Sequence, residues 1–240
     1  MNYSIIKDTE ELEKFITWLP DLLPYEIYYV SLLVRSKYCT GISHIKSDKL
    51  QLKRFTTNKE RLFQKLKQLE CPIGSYRQKD TIVPQEGLAV YITLNPRDMQ
   101  TAAKNGLIKL ASLITQPYSG YNPHQEIMSE IQKATSRRIY VDFDFDNSLK
   151  QDRREFNKEI KSNVLSILNP ECINFLETRG GVHVMVDTSK ISPELNKTWY
   201  RKMDYLKDVD QISTSNLIPI PGCCQGDYTP RLYTVNTFNN

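Results

Sequence analysis

The stretch Arg138-Ile-Tyr-Val-Asp142-Phe-Asp144-Phe-Asp146-Asn147 changes side-chain character at almost every step. Successive residues of a β-strand point to opposite faces, so this period of two sets Tyr140, Asp142, Asp144 and Asp146 on one face and Val141, Phe143 and Phe145 on the other. Same-face Cα atoms lie roughly 7 Å apart. Three carboxylates so arranged repel one another, and they are within reach of divalent cations spaced about 3.5–4 Å in a two-metal site. A solvated edge strand is the plain alternative. The large hydrophobes interleaved with the acids argue instead that one face is buried and the other is put to use.

On either side of this strand, helical periodicity runs over 124–134 and 151–168, preceded by a further helix over 98–114. Upstream, 25–34 is rich in aromatic and β-branched residues and reads as a strand, and 50–55 alternates as a half-buried strand does. Thr57 and Glu60 form a capping box ahead of Leu62, Phe63, Leu66 and Leu69 at helical spacing. A loop over 74–86 leads into a strand at 88–94, which Asn95-Pro-Arg97 breaks. Downstream, 172–177 and 182–186 are β-like runs joined by Thr178-Arg-Gly-Gly181, a hairpin with glycines at its turn. A helix over 193–205 and a strand at 231–235 complete the order.

The 240 residues are 40% apolar and 25% charged, which excludes disorder and collagen and leaves one large domain or two small ones. Five cysteines, with no C-x-x-C pair, indicate neither a disulfide framework nor a zinc knuckle and fit a reducing compartment. The N-terminus lacks the regions of a signal peptide and no apolar run reaches a membrane span, so the expectation is a cytoplasmic, unanchored chain. Net charge is only +4, but residues 35–79 carry +9 against −5 elsewhere. Within that stretch Arg35, Lys37, Lys53 and Arg54 fall on strands and are the expected nucleic-acid contacts, with a solvated basic face as the alternative.

Two further segments carry chemistry. In Glu177-Thr-Arg179-Gly-Gly-Val-His183 the glycines allow a ligand close to the backbone, and Arg179 and His183 suit phosphate oxygens; a core histidine is the alternative. Asp208-Val-Asp210 supplies more acids ahead of Pro221-Gly222.

The order of an acid-x-acid strand, a Gly-x-His hairpin and a later acid resembles the archaeo-eukaryotic primase superfamily, most closely its primase-polymerase branch in mobile elements. The resemblance spans about 138–231 and implies that Asp142 and Asp144 bind Mg2+ or Mn2+ together with Asp210. It also implies that His183 contacts the phosphates of an incoming nucleoside triphosphate. Asp144 with Asp146 is a shifted version of the acid pair, and Asp208 an alternative third acid. Asn95-Pro-Arg97 looks like the basic element that accompanies these motifs, which adds Arg97 to the nucleic-acid contacts.

The fold so implied is α+β, a single catalytic domain with an N-terminal α/β half (1–136) packed on an RRM-like half (137–240). The activity is metal-dependent primase-polymerase synthesis on a single-stranded or primed DNA template. No G-x-x-x-x-G-K-[ST] occurs, so unwinding falls to a separate helicase. A non-catalytic nucleic-acid-binding adaptor on the same fold is the competing reading. A phosphatase using Asp142-Phe-Asp144 is a weaker one, since that motif ordinarily opens a chain.

Overall fold

The acid-bearing segment is a strand, Tyr140–Asp146, inside a five-stranded antiparallel sheet, as its alternation predicts. The computed structural model describes all residues except 40–49, 115–121, 148–150, 196, 207–208, 214–216 and 239–240. Its N-terminal part runs α1 (Thr9–Trp18), β1 (Glu26–Val34), β2 (Leu50–Thr57), α2 (Lys59–Lys67), β3 (Arg77–Gln78), β4 (Thr81–Ile82), β5 (Leu88–Thr93), β6 (Arg97–Asp98), α3 (Met99–Ile114) and α4 (Pro123–Lys133). The acid strand, β7 (Tyr140–Asp146), is followed by α5 (Arg153–Leu165), β8 (Ile173–Glu177), β9 (Gly181–Asp187), α6 (Trp199–Asp204), β10 (Val209–Ser213), β11 (Leu217–Pro219) and β12 (Arg231–Thr234). The class is mixed α+β, and among the described residues no helix is long and apolar enough to cross a membrane.

The second sheet has the order β10-β7-β9-β8-β12. Helix α5 connects β7 to β8, and α6 connects β9 to β10, a split β-α-β arrangement with β12 added at the edge. Val141, Phe143 and Phe145 of β7 pack with Val182, Val184 and Val186 of β9 against Phe156, Ile160 and Val164 of α5 and Met203 of α6. The hydrophobic half of the alternation is therefore buried under helices. The other face turns toward the N-terminal half, where Tyr140, Leu176 and Met185 join its core.

The first sheet has the order β11-β5-β1-β2, with β6 pairing with β1. Helices α1 and α2 cover one face through Leu12, Phe15, Leu62 and Leu66. Helices α3 and α4 cover only one end of the other face, through Ala102, Met128 and Ile131 on Tyr29. The rest of that face, Leu33, Ala89 and Tyr91 with Tyr38 beside them, looks across at the acid strand.

Several expectations shift. Helix α1, capped by Asp8 accepting from the Glu11 amide at 3.0 Å, has no counterpart in the sequence reading. The cap of α2 is Asn58, which accepts from the Arg61 amide at 3.1 Å, whereas Thr57 ends β2. The helix expected over 193–205 is confined to Trp199–Asp204. The division at residue 136 is not clean either, because β11 pairs with β5 of the first sheet, Leu217 opposite Thr93 and Pro219 opposite Tyr91.

Asn95-Pro-Arg97 has a structural role in place of the expected one. The Asn95 side chain accepts from the Tyr140 amide at 2.9 Å and donates to its carbonyl at 2.8 Å, pinning the start of β7 as a partner strand would. Arg97 is 0% exposed, donates to the Thr135 hydroxyl, and burial lowers its pKa to about 10. A buried guanidinium does not present itself to a nucleic-acid backbone, so Arg97 leaves the set of expected contacts.

Candidate active-site cleft

Between the two sheets lies a cleft of about 470 Å³. Arg35, Lys37, Tyr38, Gln51 and Tyr91 line it from the first sheet and its flanks; Asp144, Asp146, His183 and the turn residues Thr178, Gly180 and Gly181 line it from the second. The turn reaches this position because β9 starts with a glycine. A Cβ on Gly181 would stand 1.9 Å from the Phe145 carbonyl oxygen, so only glycine lets the hairpin close on the end of the acid strand.

The three aspartates share one face, yet their surroundings differ. Asp142 is 0% exposed, Asp144 is half-buried and Asp146 is exposed. Opposite Asp144 in the register stands His183, whose ring lies between two of the acids. Its Nδ1 is 3.0 and 3.1 Å from the two Asp142 carboxylate oxygens, and its Nε2 is 3.6 Å from Asp144 Oδ1. Burial works against a charged imidazole, but the Asp142 and Asp144 carboxylates and the hydrogen bond to Asp142 outweigh it and push the His183 pKa up to about 9. At neutral pH the ring is an imidazolium that offsets the buried Asp142 charge and turns Nε2 toward the cleft.

His183 is thus in the cleft with the acids, and Asp142 lies beneath it, leaving Asp144 and Asp146 as the carboxylates that open to the cleft. Asp210 sits in β10 at a register shift between Val209, opposite Phe145, and Gln211, opposite Asp144. Its backbone therefore runs beside the acid strand. Asp208 and the side chain of Asp210 lie outside the described residues. Among the described residues no three His, Cys, Asp or Glu side chains form a group that could hold a metal.

The basic residues divide. Arg35 donates to the Tyr91 hydroxyl and its guanidinium carbon lies 5.7 Å from the ring centroids of Tyr38 and Tyr91, while exposed Lys37 lies over Tyr38. Both line the wall facing the acids. Arg54 pairs in register with Ser31 and reaches Ser129 of α4 at 3.4 Å, outside the cleft lining. Lys53 pairs with Leu32, whose side chain is in the core on the α1 and α2 side, so it projects from the opposite face. Adjacent strand residues cannot both face one groove.

Arg179 stacks on Tyr38 at 4.1 Å, is 3.2 Å from Asp227, and has its backbone amide bound by the Gln225 side chain at 2.8 Å. Gly226, at φ +71°, permits this, since a Cβ there would meet the Arg179 Nη1 at 2.6 Å. The sequence reading missed Tyr38, Tyr91 and Gln225. Nothing local marks them, because each acquires its place through a partner more than 40 residues away. No protein-family model, no curated protein and no solved structure matches the chain.

Proposed function

We propose that the chain is a metal-dependent nucleotidyltransferase of the primase-polymerase type, making or extending a nucleic-acid strand on a DNA template during mobile-element replication. The observation that carries this reading is a single cleft with Asp144, Asp146 and His183 on one wall and Arg35 and Lys37 on the other. Such a pairing of walls suits a reaction that needs carboxylates for a divalent cation and cations for phosphate. The split β-α-β topology with acids on the helix-free face accords with an RRM-like half that presents carboxylates where RNA-binding relatives present stacking aromatics.

Asp144 and Asp146 are the carboxylates that would hold Mg2+ or Mn2+; each offers oxygen at the cleft, and a hard cation that takes further ligands from water and substrate phosphate needs no closed protein cage. When bound, the cation would neutralise phosphate charge and favour the attacking 3′-oxygen. The chain's own residues do the remainder. Asp142 keeps His183 protonated and oriented, so that Nε2 donates to a phosphate oxygen. Arg35, held by Tyr91, and Lys37 supply positive charge for the nucleic-acid backbone. Strand separation would come from a separate helicase.

Primer extension and de novo synthesis assays with each nucleotide set, with and without Mn2+, test the reading; incorporation that requires the metal and a template supports it. The adaptor alternative draws on Asp142, which is covered by His183 and so withdrawn from the cleft. It wins if the protein binds template strands yet incorporates nothing under any metal.

Binding itself should respond to salt. Reversing charge at Arg35 and Lys37 together is expected to flatten the logarithmic salt dependence of single-strand binding by about 0.7 for each phosphate no longer neutralised. Reversing Lys53, on the other face of the sheet, should leave that slope unchanged. Equal effects in the two variants would move the template path out of the cleft.

A further inference from the structure

The wall that the first sheet gives to the cleft changes character along its length. Arg35 and Lys37, with Tyr38, line the end next to the hairpin turn, where Arg179 stacks on Tyr38. Inward from Arg35 the lining residues of this wall are uncharged. Leu33 lies two residues back along the strand, about 7 Å away, with Gln51 opposite it in β2; Pro219 stands opposite Tyr91, and Leu217 follows. Helix α4, which packs on Tyr29 and Leu217, adds Gln132 at the same end. The contact of Arg54 with Ser129 ties β2 to α4, the two elements that carry Gln51 and Gln132.

Neither carboxamide is used up by the fold. Among the described residues the Gln132 side chain has no hydrogen-bond partner, and the polar neighbour of Gln51 is the Tyr29 hydroxyl. Both glutamines are half-buried and both line the cleft, so a bound molecule can reach them. Each offers a donor and an acceptor side by side. The cleft volume of about 470 Å³ is within the usual range for small-molecule sites.

A nucleotide is divided in the same way, with anionic phosphates at one end and a flat, uncharged base with hydrogen-bonding edges at the other. We infer, on the reading that the cleft takes a nucleotide, that its uncharged end reads the base directly, with Gln51 and Gln132 as the specificity-determining residues and adenine as the base. Leu33, Leu217 and Pro219 supply an apolar floor for the ring. A carboxamide matches an edge that sets an amino donor beside a ring-nitrogen acceptor, as adenine does with N6 and N7. Adenine presents the same pair again with N6 and N1, so two carboxamides can each engage one edge. Guanine offers acceptors at both N7 and O6 and suits Arg or Lys, neither of which lines this end. Selection of this kind is made by the protein and needs no template strand.

The test is equilibrium binding of dATP, dCTP, dGTP and dTTP to the whole chain in Mg2+, measured by calorimetry with no template present. The expected result is that dATP binds about tenfold more tightly than dGTP or dTTP, toward the lower end of the discrimination a bidentate carboxamide contributes. In the Gln51→Leu, Gln132→Leu double variant, which keeps side-chain size, the four affinities should become alike while binding through the phosphates persists. A fold defect would instead weaken all four together and leave their order unchanged. Equal affinities in the wild type, no binding of any of the four, a base other than adenine bound most tightly, or the wild-type order retained in the double variant overturns the inference. Templated incorporation separates this from the function proposed above. Incorporation with four equal affinities removes base reading alone, whereas an adenine preference without incorporation removes the polymerase reading and leaves base reading standing.

Discussion

Asp144→Asn is expected to reduce template-directed, metal-dependent nucleotide incorporation by about 10³-fold or more while leaving the fold and single-strand binding in place. Asp144 is the one acid common to both versions of the ligand pair, Asp142 with Asp144 and Asp144 with Asp146, and it lines the cleft 3.6 Å from His183. Asparagine keeps its shape and removes its charge. The loss should therefore fall on metal affinity and kcat rather than on the melting temperature. Activity regained at raised Mn2+ would mark weakened metal binding, whereas incorporation at the wild-type rate in ordinary Mg2+ would remove Asp144 from the reaction.

Asp142→Asn should act through His183. With its pKa raised from 6.5 to about 9 in the folded protein, the imidazole contributes stability that is fully present below pH 6.5 and is lost as pH rises through about 9. The size of that contribution is about 3 kcal/mol. Urea unfolding of the wild type should accordingly show stability falling between pH 7 and 9 from this pair. In Asp142→Asn the burial that disfavours the imidazolium is opposed by Asp144 alone, so the pKa should drop and that pH dependence should flatten. At pH 7 the variant should lose about 3 kcal/mol, as buried pairs do when one charge is removed. Imidazole nitrogen shifts followed by NMR read the titration directly. A His183 that still titrates near pH 9 in the variant would show that Asp142 does not hold the proton in place.

These two variants separate roles that the spacing of the aspartates makes look alike. Asp142, Asp144 and Asp146 occupy equivalent positions of the alternation, but β7 runs from beneath the first sheet toward the open cleft, so exposure rises along it from 0% at Asp142 to an open Asp146. The inner acid meets the histidine and the outer two meet solvent.

Much of what neighbours in the chain encode was legible without a structure, although α1 with its Asp8 cap and the Asn58 cap of α2 were missed. The alternation over 140–146 placed the acids on one face, the glycines at 180 and 181 marked the turn between β8 and β9, and helical spacing located α2 to α5 to within a few residues. Each of these follows from periodicity or turn chemistry within a dozen residues. Folding then settled which face each element buries and what it meets there. It turned Arg97 inward, left both Lys53 and Arg54 out of the cleft lining, and carried β11 across to pair with β5. It also brought Gln225 to the backbone of Arg179 and Arg153 to the back of the hairpin turn. One cause is common to all of them: a side chain's charge and shape are local properties, whereas its burial, its partner and the pKa that results depend on segments distant in the chain that meet only in the folded protein.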